Sequence, residues 1–224
     1  MAKILLSFFD FTGNWSKPFA EDEYWHVKKF DIKNGQDIMD FNPAEFMSDY
    51  LHSNLKYSLP EIGLLFAVPC TDYALSGAAW FAAKDKDGRT EASQKLVAKT
   101  KEIIDWFENA GCLSFWAIEN PMSRIHKLNT WMGQPKLKFN PCDFARYDTE
   151  PEKSRYNKQT WLWGTFTIPE KKRLEPLQKE FPGHLKLGGK SERTKELRSI
   201  TPMGFANAFY QANNLTTKHS YACV

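Results

Sequence analysis

Cys70 and Glu119 are the two residues whose types and surroundings suit covalent chemistry on a flat, electron-poor ring. The chain runs apolar from Ile62 to Val68, meets Pro69-Cys70, and then turns polar and small at Thr71 and Asp72. A thiol at the carboxyl end of a buried strand is placed for nucleophilic work, although a lone cysteine more often simply packs. Glu119 follows four residues as apolar as "FWAI", which is an unusual place for a solvated carboxylate. A thiolate can add to a ring carbon, and a protonated carboxyl donating to a ring nitrogen makes that carbon more electrophilic. Neighbouring parallel strands lie about 4.8 Å apart, so two such side chains can bracket one planar base.

The elements that must position this pair are legible as an alternation. "AKILLSFF", "HVKKFDI" (His26 to Ile32), "IGLLFAV" (Ile62 to Val68) and "FWAIE" (Phe115 to Glu119) read as strands. Asn42-Pro43-Ala44-Glu45 reads as a helix start, and Leu96, Val97, Ile103, Ile104 and Phe107 recur at helical spacing before Gly111, a natural C-cap. Strand, helix, strand, helix, strand predicts an α/β fold, a mostly parallel sheet with helices on both faces. In such sheets ligands bind beyond the carboxyl ends of the strands. Four ends converge there: Asp10-Phe11-Thr12-Gly13, Asp31, Pro69-Cys70 and Glu119-Asn120-Pro121.

The first two ends suit a nucleoside. Gly13, between Thr12 and Asn14, lets backbone N–H groups approach a ligand, and Phe11 can cover a flat ring. Asp31 at the second strand end is the usual device for holding two ribose hydroxyls, with Asp37 and Ile38 within reach of an adenine edge.

The 224-residue chain, 42% hydrophobic and 25% charged, has the composition of one soluble globular domain. No apolar run approaches the roughly 20 residues of a membrane span, so a cytoplasmic protein is expected. Cys70, Cys112, Cys142 and Cys223 are scattered without paired spacing, which predicts reduced thiols and no metal site. The net charge of +3 is uneven: residues 151–198 hold twelve Lys/Arg against six Asp/Glu, so the rest of the chain sums to −3. A basic segment on a mildly acidic body favours a polyanionic partner.

"PC" after a buried strand, "ENP" after the next strand and an "FxG" turn after the first, in this order, resemble the C5-cytosine DNA methyltransferases. The resemblance covers Ile4 to Asn120 and, more loosely, "RSITPMGFANAFYQAN" from Arg198 to Asn213; "AIENPMSRIHKL" and "NKQTWLWGTF" are similar to compact phage-encoded members. It implies a Rossmann-like S-adenosylmethionine-dependent methyltransferase fold. Residues 1–150 would be the catalytic core, 151–198 a small basic insertion that serves as a reduced DNA-recognition region, and 199–224 the closing helix. It also implies that Cys70 attacks carbon 6 of a flipped-out cytosine in DNA while Glu119 engages ring nitrogen 3. Asn120 and Pro121 would shape the turn that carries Glu119. S-adenosylmethionine would lie against Asp10, Phe11, Thr12, Gly13, Asn14 and Trp15, then Asp31, Ile32, Asp37, Ile38 and Pro69.

The sequence departs from that family in three places. Asn14-Trp15 stand where glycines are common, the large target-recognition domain is absent, and the Gln-x-Arg-x-Arg pattern is missing, with Arg155 or Lys158 as candidates to replace it. Lys171, Lys172 and Arg173 of the basic segment would touch DNA, as would Arg124 and His126 after the Glu119 turn, and Ser76 lies in a loop placed to close over the base. No metal, no membrane and a monomer are expected. Two other readings stay open: the same core acting on RNA or a free nucleotide, and a silent nucleic-acid-binding protein, against which the presence of both Cys70 and Glu119 argues.

Overall fold

The computed structural model describes residues 2–54, 58–177 and 192–214. Its strands are β1 (Lys3–Phe8), β2 (Trp25–Phe30), β3 (Glu61–Phe66), β4 (Leu113–Pro121), β5 (Leu137–Phe139) and β6 (Thr160–Thr165). The helices are α1 (Lys17–Ala20), α2 (Pro43–Asn54), α3 (Phe81–Lys86), α4 (Arg89–Asn109), α5 (Ile125–Leu128), α6 (Pro151–Ser154), α7 (Glu192–Ser199) and α8 (Met203–Asn213). They build one six-stranded sheet in the order β2-β1-β3-β4-β6-β5. The first four positions are parallel, and β6 and β5 run antiparallel.

Side-chain alternation splits the core into two layers. Ile4, Leu6 and Phe8 of β1 and Ile62, Leu64 and Phe66 of β3 face the layer closed by Val97, Ile103, Ile104 and Phe107 of α4. Leu5, Leu65, Phe115 and Ala117 face the opposite layer, closed by Trp15, Phe19 and the α8 residues Phe205, Ala206 and Phe209. The expected α/β architecture with helices on both faces is therefore present. Across the parallel strands Phe30, Phe8 and Phe66 stack at centroid distances of 4.8 and 4.9 Å, one continuous aromatic seam under the carboxyl ends.

The helices begin and end where their sequences dictate. Asn42 Oδ1 accepts from the N–H groups of Ala44 and Glu45, capping α2. The α4 helix ends before Gly111, whose φ of 68° a side chain would resist. Gly164 has a harder reason to be glycine: at φ 141° a Cβ there would stand 2.1 Å from the Trp116 carbonyl oxygen, so β6 could not close on β4.

Three expectations are corrected here. β2 stops at Phe30, because the Asp31 side chain accepts from Lys33 N and turns the chain into a 3₁₀ turn. β4 does not stop at Glu119: Glu119, Asn120 and Pro121 remain in the ladder, opposite Leu162, Trp161 and Thr160 of β6. The segment 151–198, read from its charge as an insertion, supplies that same β6 to the sheet. Among the described residues no helix is long and apolar enough to cross a membrane.

Candidate active site

Cys70 lies four residues beyond the last ladder residue of β3, and its carbonyl accepts from the N–H groups of Tyr73 and Ala74 in a tight turn. That turn is pinned from several sides. Lys84 of α3 pairs with Asp72 at 3.1 Å with both side chains about one-tenth exposed, and Ser93 Oγ of α4 donates to Asp72 at 2.6 Å. Leu75 N donates to the Met122 carbonyl and Arg124 N to the Tyr73 carbonyl, tying the turn to the segment after β4. Asn120 is fully buried, and its Nδ2 donates to the Val68 carbonyl at 2.8 Å, just before Pro69-Cys70. The cysteine and the glutamate are thus held by a shared framework, although they are far apart in sequence.

Alternation along β4 puts Glu119 on the same side as Phe115 and Ala117, beneath the α8 layer. Its carboxyl borders a small cavity of about 10 Å³ lined by Phe139, Lys158, Thr160, Ser199, Ile200, Thr201, Pro202 and Phe205. Burial raises the Glu119 carboxyl above the ordinary carboxylate range, with Lys158 opposing. The Cys70 thiol is also raised, first by burial and then by the Glu119 charge, while Lys158 and Arg198 favour the thiolate. The two groups are therefore coupled: a protonated Glu119 can donate a hydrogen bond and no longer opposes ionisation of Cys70. Tyr156, raised by burial and by the charges of Asp148 and Glu119, borders the same charge cluster.

The first-turn residues divide into two groups. Asp10 is buried, and one of its oxygens accepts from Ser7 Oγ at 2.8 Å, Ser16 Oγ at 2.7 Å and Ser16 N at 3.3 Å. Trp15 is buried between Phe205 and Phe209, and Ile38 packs into the α4 layer. These three shape the turns from behind, and their placement as cofactor contacts is corrected accordingly. Phe11, Thr12, Asp31, Ile32 and Pro69 keep surface available, and Gly13 turns at φ 71°. Asp31 and Asp37 each spend one oxygen on the next turn, at Lys33 N and Met39 N. An exposed phenyl ring, a positive-φ glycine and a carboxylate with an oxygen to spare, on adjacent strand ends, fit an adenosyl group. Asn14 Nδ2 donates to the Thr201 carbonyl at 3.3 Å and joins this turn to the segment leading into α8.

The expected phosphate contacts are mostly engaged within the chain. Arg124 holds Asp85 with two bonds of 2.6 and 2.8 Å and stacks over Phe81, which pulls the Asp85 carboxyl down to about 2. Lys171 and Arg173 both pair with the buried Asp143, at 3.0 and 2.9 Å, and Lys172 sits over the Tyr147 ring. Arg155 Nε donates to the Glu175 carbonyl at 2.8 Å. His126 packs against Trp161 and Trp163, away from solvent-facing anions. Ser76 is exposed on a 3₁₀ turn, Leu75–Trp80. Of the named cations only Lys158 reaches the Cys70–Glu119 pair. Cys112 and Cys142 are buried free thiols, and Cys223 lies outside the described residues.

Sequence reasoning missed Arg198 as a charge acting on Cys70 and Asp143 as the sink for two cations. Arg198 had a signal, since it opens the stretch that resembles the closing helix. Asp143 had none, because its partners follow 28 and 30 residues later.

No family model and no curated protein matches this chain. A solved structure titled "Structure Analysis of Entamoeba histolytica methyltransferase EhMeth" is similar at a TM-score of 0.44 and 14% identity, covering 87% of this chain. The match spans 62% of the length of that chain, and at such a score it bears on neither activity nor substrate.

Proposed function

We propose that this protein is an S-adenosylmethionine-dependent methyltransferase acting on carbon 5 of cytosine through a covalent adduct of Cys70. The reading rests on one observation: a thiol and a buried carboxyl stand at the ends of adjacent parallel strands, with Lys158 favouring the charged form of each. Bound beside Phe11, Gly13 and Asp31, S-adenosylmethionine would supply an electrophilic methyl carbon. Asp31 would hold its ribose hydroxyls and Phe11 its ring. On the other side of the rim Glu119, held neutral, would donate to ring nitrogen 3, and the Cys70 thiolate would form a bond to carbon 6. Carbon 5 would thereby become the nucleophile. After methylation, loss of the carbon 5 proton would expel Cys70 as a thiolate and restore the ring.

DNA is the first substrate assigned. RNA or a nucleotide is the second, favoured by the engagement of Lys171, Arg173 and Arg124 with Asp143 and Asp85, which leaves fewer cations for a long phosphate backbone. The test is covalent trapping. DNA carrying 5-fluorocytosine should give a denaturation-resistant adduct when S-adenosylmethionine is present, because fluorine cannot leave as a cation, and Cys70→Ser should abolish it. Adducts on RNA alone would move the assignment to the second reading. Binding without any adduct, from a preparation shown to bind the cofactor, would overturn the mechanism.

A further inference from the structure

The stretch from Glu196 to Thr201 crosses the strand ends and is tied down on both sides. Near β2, Glu196 receives the Lys33 ammonium at 2.7 Å. Lys33 itself lies 4.8 Å over the Phe11 ring, and its N–H donates to Asp31. Near β6, the Arg198 carbonyl accepts from Lys158 Nζ, and Ser199, Ile200 and Thr201 wall the Glu119 cavity. Between them the Thr201 carbonyl accepts from Asn14 in the first turn. The α7 helix therefore spans the rim from the residues expected to hold the cofactor to the reactive pair.

We propose that Arg198 is a positioning residue for the Cys70 thiolate, delivered by α7, and that the Lys33–Glu196 pair is the latch that keeps α7 across the rim. This rests on the assignment of Cys70 as the nucleophile. The groups facing the thiol are Glu119 from β4, Lys158 ahead of β6, and Arg198 from α7. Lys158 is already committed to the Arg198 carbonyl, so one residue both orients that lysine through its backbone and adds a permanent charge through its side chain. Charges act more strongly in such partly buried surroundings than in water. The latch, with both side chains about half exposed, is a weak tie. The cap can therefore open for ligand exchange and still favour the closed arrangement.

Alkylation of Cys70 by iodoacetamide across a pH series, read peptide by peptide by mass spectrometry, tests this without any need for methyl transfer. Arg198→Met should move the midpoint of Cys70 alkylation up by about half to one pH unit, slowing the reaction roughly 3- to 10-fold at neutral pH. Arg198→Lys should restore most of the loss, and Glu196→Gln should give a smaller shift in the same direction. Far-ultraviolet circular dichroism establishes that each variant is folded, and Arg198→Gln replaces Arg198→Met should the latter not fold. An unmoved midpoint in a folded neutral variant, or a Lys variant as impaired as the neutral one, overturns the proposal. A shifted profile in a protein that transfers no methyl group would sink the methyltransferase assignment and leave this one intact, and an unmoved profile in an active enzyme would do the reverse.

Discussion

Lys158 and Lys171 lie in one basic stretch and look alike in sequence, yet they end in opposite kinds of work. Lys158 faces a thiol and a buried carboxyl at the sheet rim, and its charge bears on whether each is ionised. Lys171 and its neighbour Arg173 close over Asp143, which backbone and side-chain donors hold below the ordinary carboxylate range against the effect of burial. They strap residues 171–174 to the 3₁₀ turn Pro141–Tyr147, a strap completed by hydrogen bonds from Leu174 N to Cys142 O and from Arg146 N to Lys172 O. The difference teaches that a local excess of positive charge reports how many cations a segment has, and nothing about which anion each will meet. A buried carboxylate within reach claims a lysine before any phosphate does, because leaving that carboxylate unpaired is the costlier outcome.

The sharpest way to break this comparison is to neutralise the rim cation. Lys158→Met should lower the rate of methyl transfer about 100-fold, the usual scale for removing one preorganised donor or charge, with little change in the unfolding midpoint. A transfer rate within a factor of two of the parent would show that Lys158 is only another strap residue.

Asp143→Asn tests the other side and should do the opposite, costing about 1–3 kcal/mol of stability by unpairing a buried acceptor and its cations. In a protein of this size that lowers the thermal midpoint by about 2–4 °C per kcal/mol, with transfer per folded molecule preserved. The sign of its pH dependence is also fixed. The folded carboxyl is depressed, so its contribution is present above the unfolded pKa of about 3.9 and fades as the pH falls through the folded value. The parent and Asp143→Asn should therefore converge in acid.

Glu119→Gln sharpens the contrast by reversing that sign. A raised folded pKa means that the parent loses stability as the pH climbs above the unfolded value of about 4.3, until the folded value is passed. The glutamine variant has no such loss. Relative to the parent it should gain about 1.4 kcal/mol at pH 8 for each unit of the raised pKa, and gain nothing near pH 4. Denaturant midpoints at the two values decide it. An equal difference at both would mean that the carboxyl is not desolvated.

The smallest effect belongs to Lys172→Ala, whose ammonium rests on the Tyr147 ring at the surface: about 0.5 kcal/mol or less, with transfer unchanged. A loss of nucleic-acid affinity in this variant would return the strap to the binding surface.

What the sequence revealed follows the same division between local and distant causes. β1 and β3 were legible because strands covered on both faces read as unbroken apolar runs, and α2 and α4 because their caps and spacing are local. The length of β4 was hidden. Asn120-Pro121 has turn composition, but β6 supplies a ladder there, and proline is tolerated at a strand end. Trp15 looked like a turn residue beside a ligand, and it became core only because α8 brings Phe205 and Phe209 to it. Arg124 looked free for phosphate because Asp85 lies on another element. Cys70 and Glu119 were found from strand-end position alone, which parallel topology preserves whatever the loops do.

The ladder that carries Glu119 has a consequence for inhibitors. A carboxyl whose own residue and both neighbours are paired with β6, on a strand that also pairs with β3, cannot shift without shearing two strand pairs. Cys70 stands outside the ladder, in a turn. A compound that engages both should take its rigid part from the carboxylic acid side, with a planar acceptor matched to Glu119, and carry its electrophile on a flexible arm that lets the thiol come to it.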